Sequence, residues 1–147
     1  MADVYAYVAT LLGDRAAAED VTAAAFERAW RKRRTFDAGR GTPRGWLFGI
    51  ARNAALDELR RRRRVVVEAD PDATELDDGV EDAMRRATVR AALRELDPRD
   101  RELVALKFYG ELTNVELATV LRTSESNVGT RLHRAVAKLR EACHVEA

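Results

Sequence analysis

Glu111-Leu112-Thr113-Asn114-Val115-Glu116-Leu117-Ala118-Thr119-Val120-Leu121, followed after a break at Arg122 and Thr123 by Ser124 to Arg134, reads as two helices joined by a tight turn. Thr113 is placed to cap the first helix. Glu116, three residues on, can reach back to complete a capping box, so that helix has a specified start. Leu117, Val120 and Leu121 supply its buried side. Ser124 can cap the second helix, in which Val128, Leu132, Ala135 and Leu139 recur at helical spacing and face inward. The opposite face carries Asn127, Thr130, Arg131 and Arg134. Side chains of that kind, on a helix narrow enough for the major groove, can bond base edges or phosphates. Many helix pairs share this pattern, so the motif alone leaves DNA binding as one reading among several.

Charge divides the rest of the chain into blocks. Arg28 to Arg64 holds 13 basic residues against three acids (Asp37, Asp57 and Glu58), whereas Val65 to Met84 holds eight acids and no Lys or Arg. The net charge of +1 hides this contrast. Blocks of like charge resist packing into a core, so the acidic stretch, with Pro71 and Gly79 inside it, is expected to be a flexible linker that leaves the arrangement of its two flanking helical domains open. No apolar run is long enough to span a bilayer and no charged-then-apolar leader is present, which points to a cytosolic protein without membrane insertion. Cys143 stands alone, expected as a solvent-facing thiol near a frayed terminus, and no Cys/His cluster offers a metal site. There is no Gly-rich phosphate loop and no set of acid, base and nucleophile arguable from spacing, so an enzyme with a cofactor or small-molecule substrate is the weakest class.

In the first half, Val4, Val8, Leu11 and Leu12 form one helical stripe ending at Gly13, a residue suited to a helix stop. Asp14 opens a second helix running from Ala16 to about Arg33, with Val21, Ala25 and Ala29, and Phe26 and Trp30 beside them, expected on inward faces. The loop Thr35-Phe36-Asp37-Ala38-Gly39-Arg40-Gly41 follows, cationic and mobile. Thr42 and Pro43 start a third helix, since Pro fits the first helical position and Thr can cap it. That helix is expected to reach about Arg62. One of its faces carries Leu47, Ile50, Ala51 and Ala54 as core; another carries Trp46, Asn53, Asp57 and Arg60 and leads into the run Arg61 to Arg64. An aromatic beside amide and guanidinium groups and a basic loop is what unpaired nucleic acid requires, a stacking surface with cations for phosphates. The competing reading makes Trp46 core and the Arg run a solvated helix end.

Taken together, Leu11-Leu12-Gly13-Asp14-Arg15, Ala18-Glu19-Asp20-Val21, Phe26-Glu27-Arg28-Ala29-Trp30, Gly45 through Arg61, and Arg131-Leu132-His133-Arg134-Ala135 closely resemble the extracytoplasmic-function class of bacterial sigma factors. The resemblance covers nearly the whole chain. It implies an all-α fold of two small domains, a three-helix region 2 at 1–64 and a helix-turn-helix region 4 at 81–147, joined by the acidic linker at 65–80. It implies that region 2 docks on the clamp helices of RNA polymerase through Asp20, Ala23, Ala24, Glu27 and Trp30. It implies that the same region opens the minus-ten promoter element through Phe36, Asp37, Arg40, Arg44, Trp46, Arg52, Asn53, Asp57, Arg60 and Arg61. Region 4 would read the minus-thirty-five element through Ser126, Asn127, Gly129, Thr130, Arg131, His133 and Arg134, and meet the polymerase flap through a surface including Leu103 to Tyr109. The implied partners are RNA polymerase core, promoter DNA and an anti-sigma factor; the protein would catalyse nothing, need no cofactor, and join the nucleoid within holoenzyme.

Three departures from the family pattern accompany the resemblance. The first helix starts late, and its docking is expected to suffer. Ala23-Ala24 stands where a Gln-Glu pair is common, which removes polar groups from the clamp surface. Gly129 stands where a Lys or Arg is common, with a loss of about 1 kcal/mol of helix propensity and one contact. His133 reads equally as a DNA contact or as an idle exposed side chain. Two other functions fit parts of the chain: a stand-alone operator-binding regulator, and an RNA-binding protein using Arg60 to Arg64, which would leave the capped helix at Ser124 unexplained.

Overall fold

A computed structural model of the chain describes residues 2–64 and 91–145, and the side chains of 3–63 and 91–141. The expected acidic linker at 65–80, the start of the second domain at 81 and the side chain of Cys143 lie outside the described residues. Among the described residues every regular element is helical.

Helix α1 spans Ala2–Leu12 and buries Val4, Tyr7, Val8 and Leu12. It stops where Gly13, at φ 65°, turns its N–H back to the Ala9 carbonyl. Asp14 caps α2 (Arg15–Arg31) by accepting a hydrogen bond from the Ala17 N–H, which satisfies a donor that has no partner within the helix. The buried stripe of α2, Ala18, Val21, Thr22, Ala25 and Ala29, is built of small side chains that let the helix lie close to α1 and α3. Two 3-10 turns, Arg33–Thr35 and Ala38–Arg40, follow. Thr42 then caps α3 (Pro43–Arg64), its hydroxyl accepting from the Gly45 N–H at 3.1 Å.

In the second half a helical stretch at 91–94 leads to α4 (Pro98–Gly110), capped by Asp97, with Pro98 in the first helical position. The capping box read from Thr113 and Glu116 opens α5 (Asn114–Leu121), with both of its reciprocal hydrogen bonds present. Ser124 accepts from the Asn127 N–H at the start of α6 (Glu125–Val145). Leu117, Val128 and Ala135 are buried and Val120, Leu121, Leu132 and Leu139 partly so, as the helical periodicity predicts.

The two halves share one core. Leu103 and Leu106 of α4 are fully buried together with Tyr7 and Val8 of α1 and Phe48 of α3, and α4 lies along α1. Phe48 reaches the α4 terminus, where a side chain added at Gly110 would touch its ring and press on Leu112. A smaller cluster, Leu93, Leu96, Val104 and Ala135, holds α6 to the back of α4.

Some expectations are corrected. Trp30 does not face inward: it is 66% exposed, because α2 turns its alanine stripe to the core and carries the larger ring to the outer side. The α2 helix ends at Arg31, two residues early, and α3 runs two residues further, to Arg64. Tyr7 and Phe48, two of the largest fully buried side chains, stand outside the stripes picked by periodicity.

The turns after α4 and α5 each open on a residue with a left-handed backbone that is not glycine, Glu111 at φ 52° and Arg122 at φ 56°. A side chain in that conformation crowds the following carbonyl at a cost of about 1–2 kcal/mol, part of which glycine gives back through its larger unfolded entropy. Glu111→Gly is therefore expected to stabilise the chain by about 1 kcal/mol, a rise of about 3 °C in Tm by calorimetry; an unchanged or lower Tm refutes the strain.

Candidate nucleic-acid interface

The loop after α2 is held by its own polar groups. Thr35 turns back to the Lys32 carbonyl with its N–H and hydroxyl, and the Asp37 carboxylate accepts from the Gly39 N–H. This places Phe36 edge-on to Trp46, ring centroids 5.6 Å apart. The two rings, with Asp37, Arg40, Asn53 and Lys32, border a cleft of about 470 Å³. Five residues of the expected minus-ten set thus converge on one cavity: Phe36, Asp37, Arg40, Trp46 and Asn53. Trp46 is partly buried, packed against the core and also lining the cleft, so it is neither wholly core nor wholly open.

The other members of that set lie elsewhere. Asp57, Arg60 and Arg61 are exposed further along α3, with Arg60 paired to Asp57 at 3.4 Å and Arg61 to Glu58 at 2.7 Å. The hydrogen bond from Arg61 holds the Glu58 carboxyl below its ordinary range. Arg44 and Arg52 point into the joint between the two halves. Arg44 donates to the carbonyls of Gly110 and Tyr109 and to the Asp3 carboxylate. The Arg52 guanidinium meets the Glu102 carboxylate at 2.5 Å. Within the basic run, Arg62 ties the end of α3 to the Leu12 carbonyl and the Asp14 carboxylate.

On α6, Ser126, Asn127, Thr130, His133 and Arg134 are exposed. Asn127, Thr130 and Arg134 recur at intervals of three and four and so share a face. The Asn127 amide is oriented by donating to the Thr123 hydroxyl at 2.8 Å. Arg131 is half-buried and lies 3.7 Å from Asp100 of α4, which also faces Lys138 at 3.9 Å. A side chain at Gly129 would meet only the Asn114 amide, at 3.9 Å, so packing does not demand glycine there.

The α2 set, Asp20, Ala23, Ala24, Glu27 and Trp30, forms one exposed stripe at helical spacing. Arg31 pairs with Glu27 at 2.9 Å, and the Arg33 guanidinium lies 4.0 Å over the Trp30 ring, a cation–π contact that orients the indole. On α4 the Leu103 to Tyr109 surface divides: Leu103, Ala105 and Leu106 are buried in the core shared with the first half, Val104 is buried toward α6, and Phe108 is 69% exposed.

Sequence reasoning missed the residues that join the halves. Glu102 accepts from the Tyr7 hydroxyl at 3.0 Å as well as from Arg52. Glu116, read only as a capping residue, also accepts a short hydrogen bond from the Thr42 hydroxyl, so α5 forms the far wall of the cleft with Val115, Glu116, Thr119 and Val120. The available signal for Glu102 was an acid immediately before the apolar run Leu103 to Leu106 and four residues from Leu106, on a helix face that, once buried, demands a partner for it. Among the described residues no group of His, Cys, Asp and Glu is placed to hold a metal ion, and no helix is long and apolar enough to cross a membrane.

Comparison with known proteins places both halves. Residues 1–65 match the family described as Sigma-70 region 2, and residues 86–139 match Sigma-70, region 4. Over 142 residues the chain is 35% identical to the ECF RNA polymerase sigma factor SigL of Mycobacterium tuberculosis, covering 93% of this chain and 80% of that protein. It is 34% identical to the ECF RNA polymerase sigma factor BldN of Streptomyces coelicolor, covering 92% of this chain and 54% of that one. In fold it is similar to the sigma factor RpoE of Bartonella quintana, solved with the anti-sigma factor NepR, at a TM-score of 0.82 and 23% identity, covering 98% of this chain and 91% of the other. It also resembles CnrH, solved with the cytosolic domain of CnrY, at a TM-score of 0.71 and 26% identity, covering 99% and 83%.

Glu116 gives the site a dependence on pH. The Thr42 hydroxyl, followed by the Thr113 N–H, holds its carboxyl below the ordinary glutamate range. A lowered folded-state pKa contributes stability that is complete above the unfolded value and is lost as pH falls through the folded one. Glu116→Gln keeps an acceptor but no charge. It is expected to lower the urea midpoint at neutral pH, and the gap to wild type is expected to close between about pH 5 and about pH 3; a gap that stays constant over that window refutes the assignment.

Proposed function

The chain belongs to the extracytoplasmic-function class of sigma-70 RNA polymerase sigma factors, and we propose that its surfaces divide the work of promoter-directed transcription among three sets of residues. Residues 1–64 act as region 2, 65–80 as the linker and 81–147 as region 4. The exposed α2 stripe, Asp20, Ala23, Ala24, Glu27 and Trp30, docks on the polymerase clamp. The cleft holds a base flipped from the non-template strand, with Phe36 and Trp46 as its stacking surface, Asn53 as the polar group facing the base edge, and Arg40 and Lys32 beside the phosphates. The exposed α6 face, Asn127, Thr130 and Arg134 with Ser126 and His133, lies in the major groove of the minus-thirty-five element.

The observation that carries this reading is the convergence of Phe36, Asp37, Arg40, Trp46 and Asn53 on one cleft. Flipping a base costs a few kcal/mol, and stacking on aromatic rings returns about 1–3 kcal/mol per base, so a site of two aromatics with flanking cations can hold the melted strand open. Duplex DNA offers no unstacked base, so the free protein binds it weakly and polymerase is needed. The role is specificity supplied to another enzyme. Control by an anti-sigma factor fits the sigma factor RpoE of similar fold, which was solved with the anti-sigma factor NepR. The protein acts in the cytoplasm and at the nucleoid, where its polymerase is.

Run-off transcription with core RNA polymerase from the source bacterium tests the reading. Specific start sites sharing two spaced elements are expected only with the chain present. Trp46→Ala is expected to lower transcripts from duplex promoters about tenfold, and much less on templates already melted at the minus-ten element. Arg134→Ala is expected to lose about 1–3 kcal/mol of discrimination at a single minus-thirty-five base pair. Tight binding of free duplex with no polymerase-dependent transcript would instead establish a stand-alone regulator.

A further inference from the structure

We propose that Asn127 commits one position of the minus-thirty-five element to adenine, and that Thr123, in the turn before α6, is the positioning residue that gives the Asn127 amide this selectivity. The proposal deepens the reading of the exposed α6 face as the groove-facing surface and rests on it.

Asn127 is fixed from two directions before any DNA arrives. It is the third residue of α6, in the first turn, where a reading helix brings its side chains to base edges. Its backbone N–H donates to the Ser124 hydroxyl at 3.0 Å, which sets the main chain. Its amide nitrogen donates to the Thr123 hydroxyl at 2.8 Å, which sets the side chain. Thr123 is held in turn by α5: its N–H bonds the Ala118 carbonyl at 3.0 Å, across the turn that Arg122 makes at φ 56°. Thr123 is half-buried and Asn127 exposed, so the anchored end of the amide lies toward the protein and the rest is open to a ligand.

What remains on the amide decides the base. A carboxamide has one oxygen and two N–H groups, and a freely turning one presents donor or acceptor as its partner requires. With one N–H engaged by Thr123, the oxygen and the second N–H are left, an acceptor beside a donor. In the major groove adenine offers the complementary pair, its N6 amine and N7, whereas guanine offers two acceptors, O6 and N7. An amide turned over would accept the Thr123 hydroxyl proton with its oxygen and present only donors to the groove, which suits guanine. The acceptor role of the Thr123 hydroxyl therefore selects adenine. Anchoring also removes rotamer freedom that an exposed Asn otherwise loses on binding.

Run-off transcription with core polymerase and the full-length chain, on promoters randomised across the minus-thirty-five element, tests the assignment. Asn127→Ala is expected to lower discrimination about tenfold at one position, and that position is expected to hold adenine in wild-type transcripts. Replacing this adenine by 7-deazaadenine, which lacks the N7 acceptor, is expected to cost the wild type about fivefold and to leave Asn127→Ala unmoved. Thr123→Val removes the hydroxyl and keeps the branched shape. It is expected to weaken the adenine preference about threefold, with the preferences at other positions as in wild type, and Thr123→Ser is expected to restore it. A merely structural role would move all positions together, and that outcome overturns the positioning. Guanine at the position that Asn127→Ala affects, an N7 deletion felt equally by wild type and Asn127→Ala, or a Thr123→Val profile identical to wild type also overturns the proposal. Wild-type transcripts that share a minus-thirty-five element, with no position altered by Asn127→Ala, overturn this proposal alone. If the wild type gives no polymerase-dependent transcript, the sigma-factor reading fails and the adenine assignment with it.

Discussion

A carboxylate buried among leucines sets the terms for this fold. Glu102 lies on the face of α4 that also carries Leu103 and Leu106, so the apolar contact cannot form without enclosing the acid. An unpaired charge there would cost several kcal/mol, which makes two donors from other helices a condition of the arrangement. Arg52 supplies a guanidinium and Tyr7 a hydroxyl. Burial, together with the adjacent Glu102 charge, pushes the Tyr7 phenol well above its ordinary range, so it remains a donor at any physiological pH. The register of α1, α3 and α4 against one another follows from that one group, because a helical turn of slippage would separate it from both donors.

Local sequence signals do the remaining positioning with little energy each. Side-chain caps at Asp14, Thr42, Asp97, Thr113 and Ser124 specify where five helices begin. Each is worth about 1 kcal/mol, yet together they fix where α3 starts relative to the loop, and hence where Trp46 meets Phe36. Arg101 bonds the carbonyls of Leu93, Arg94 and Leu96, closing the end of the preceding helical stretch onto α4. The cleft is therefore a product of caps and turns at its edges, with the shared core setting only its floor.

These two kinds of constraint differ in how far they can be read from the chain. Caps and amphipathic stripes connect residues three or four apart, so the Thr113 box, the inward set Val128, Leu132, Ala135 and Leu139, and the exposed set Asn127, Thr130 and Arg134 were all legible. Phe36, Arg40, Trp46 and Asn53 were legible as one site because a loop and the helix it enters are neighbours in sequence. The Tyr7 to Glu102 bond spans 95 residues, and no periodicity reports a contact at that distance. Trp30 misled for a related reason: hydrophobicity argued for burial, whereas the small side chains of Ala18, Ala25 and Ala29 had already claimed the inner face of α2.

The basic block from Arg28 to Arg64 shows why net charge cannot stand in for a binding surface. Arg40, Arg60 and Arg61 each hold a carboxylate three residues away on their own turn, and all three are exposed. Such pairs contribute at most about 1 kcal/mol and are screened by salt, so a phosphate can replace the carboxylate at almost no cost. Arg44, Arg52 and Arg62 look identical in sequence but are bound across helices to carbonyls and carboxylates distant in the chain. Releasing them means taking a joint of the fold apart. Arg62 holds α3 to the turn between α1 and α2, within the first half, and has no reason to move. Arg44 and Arg52 cross between the halves and fasten one to the other. The same guanidinium group thus has three settings in one basic run: an exposed pair with an exchangeable partner, a fastening within the first half, and a fastening across the two halves.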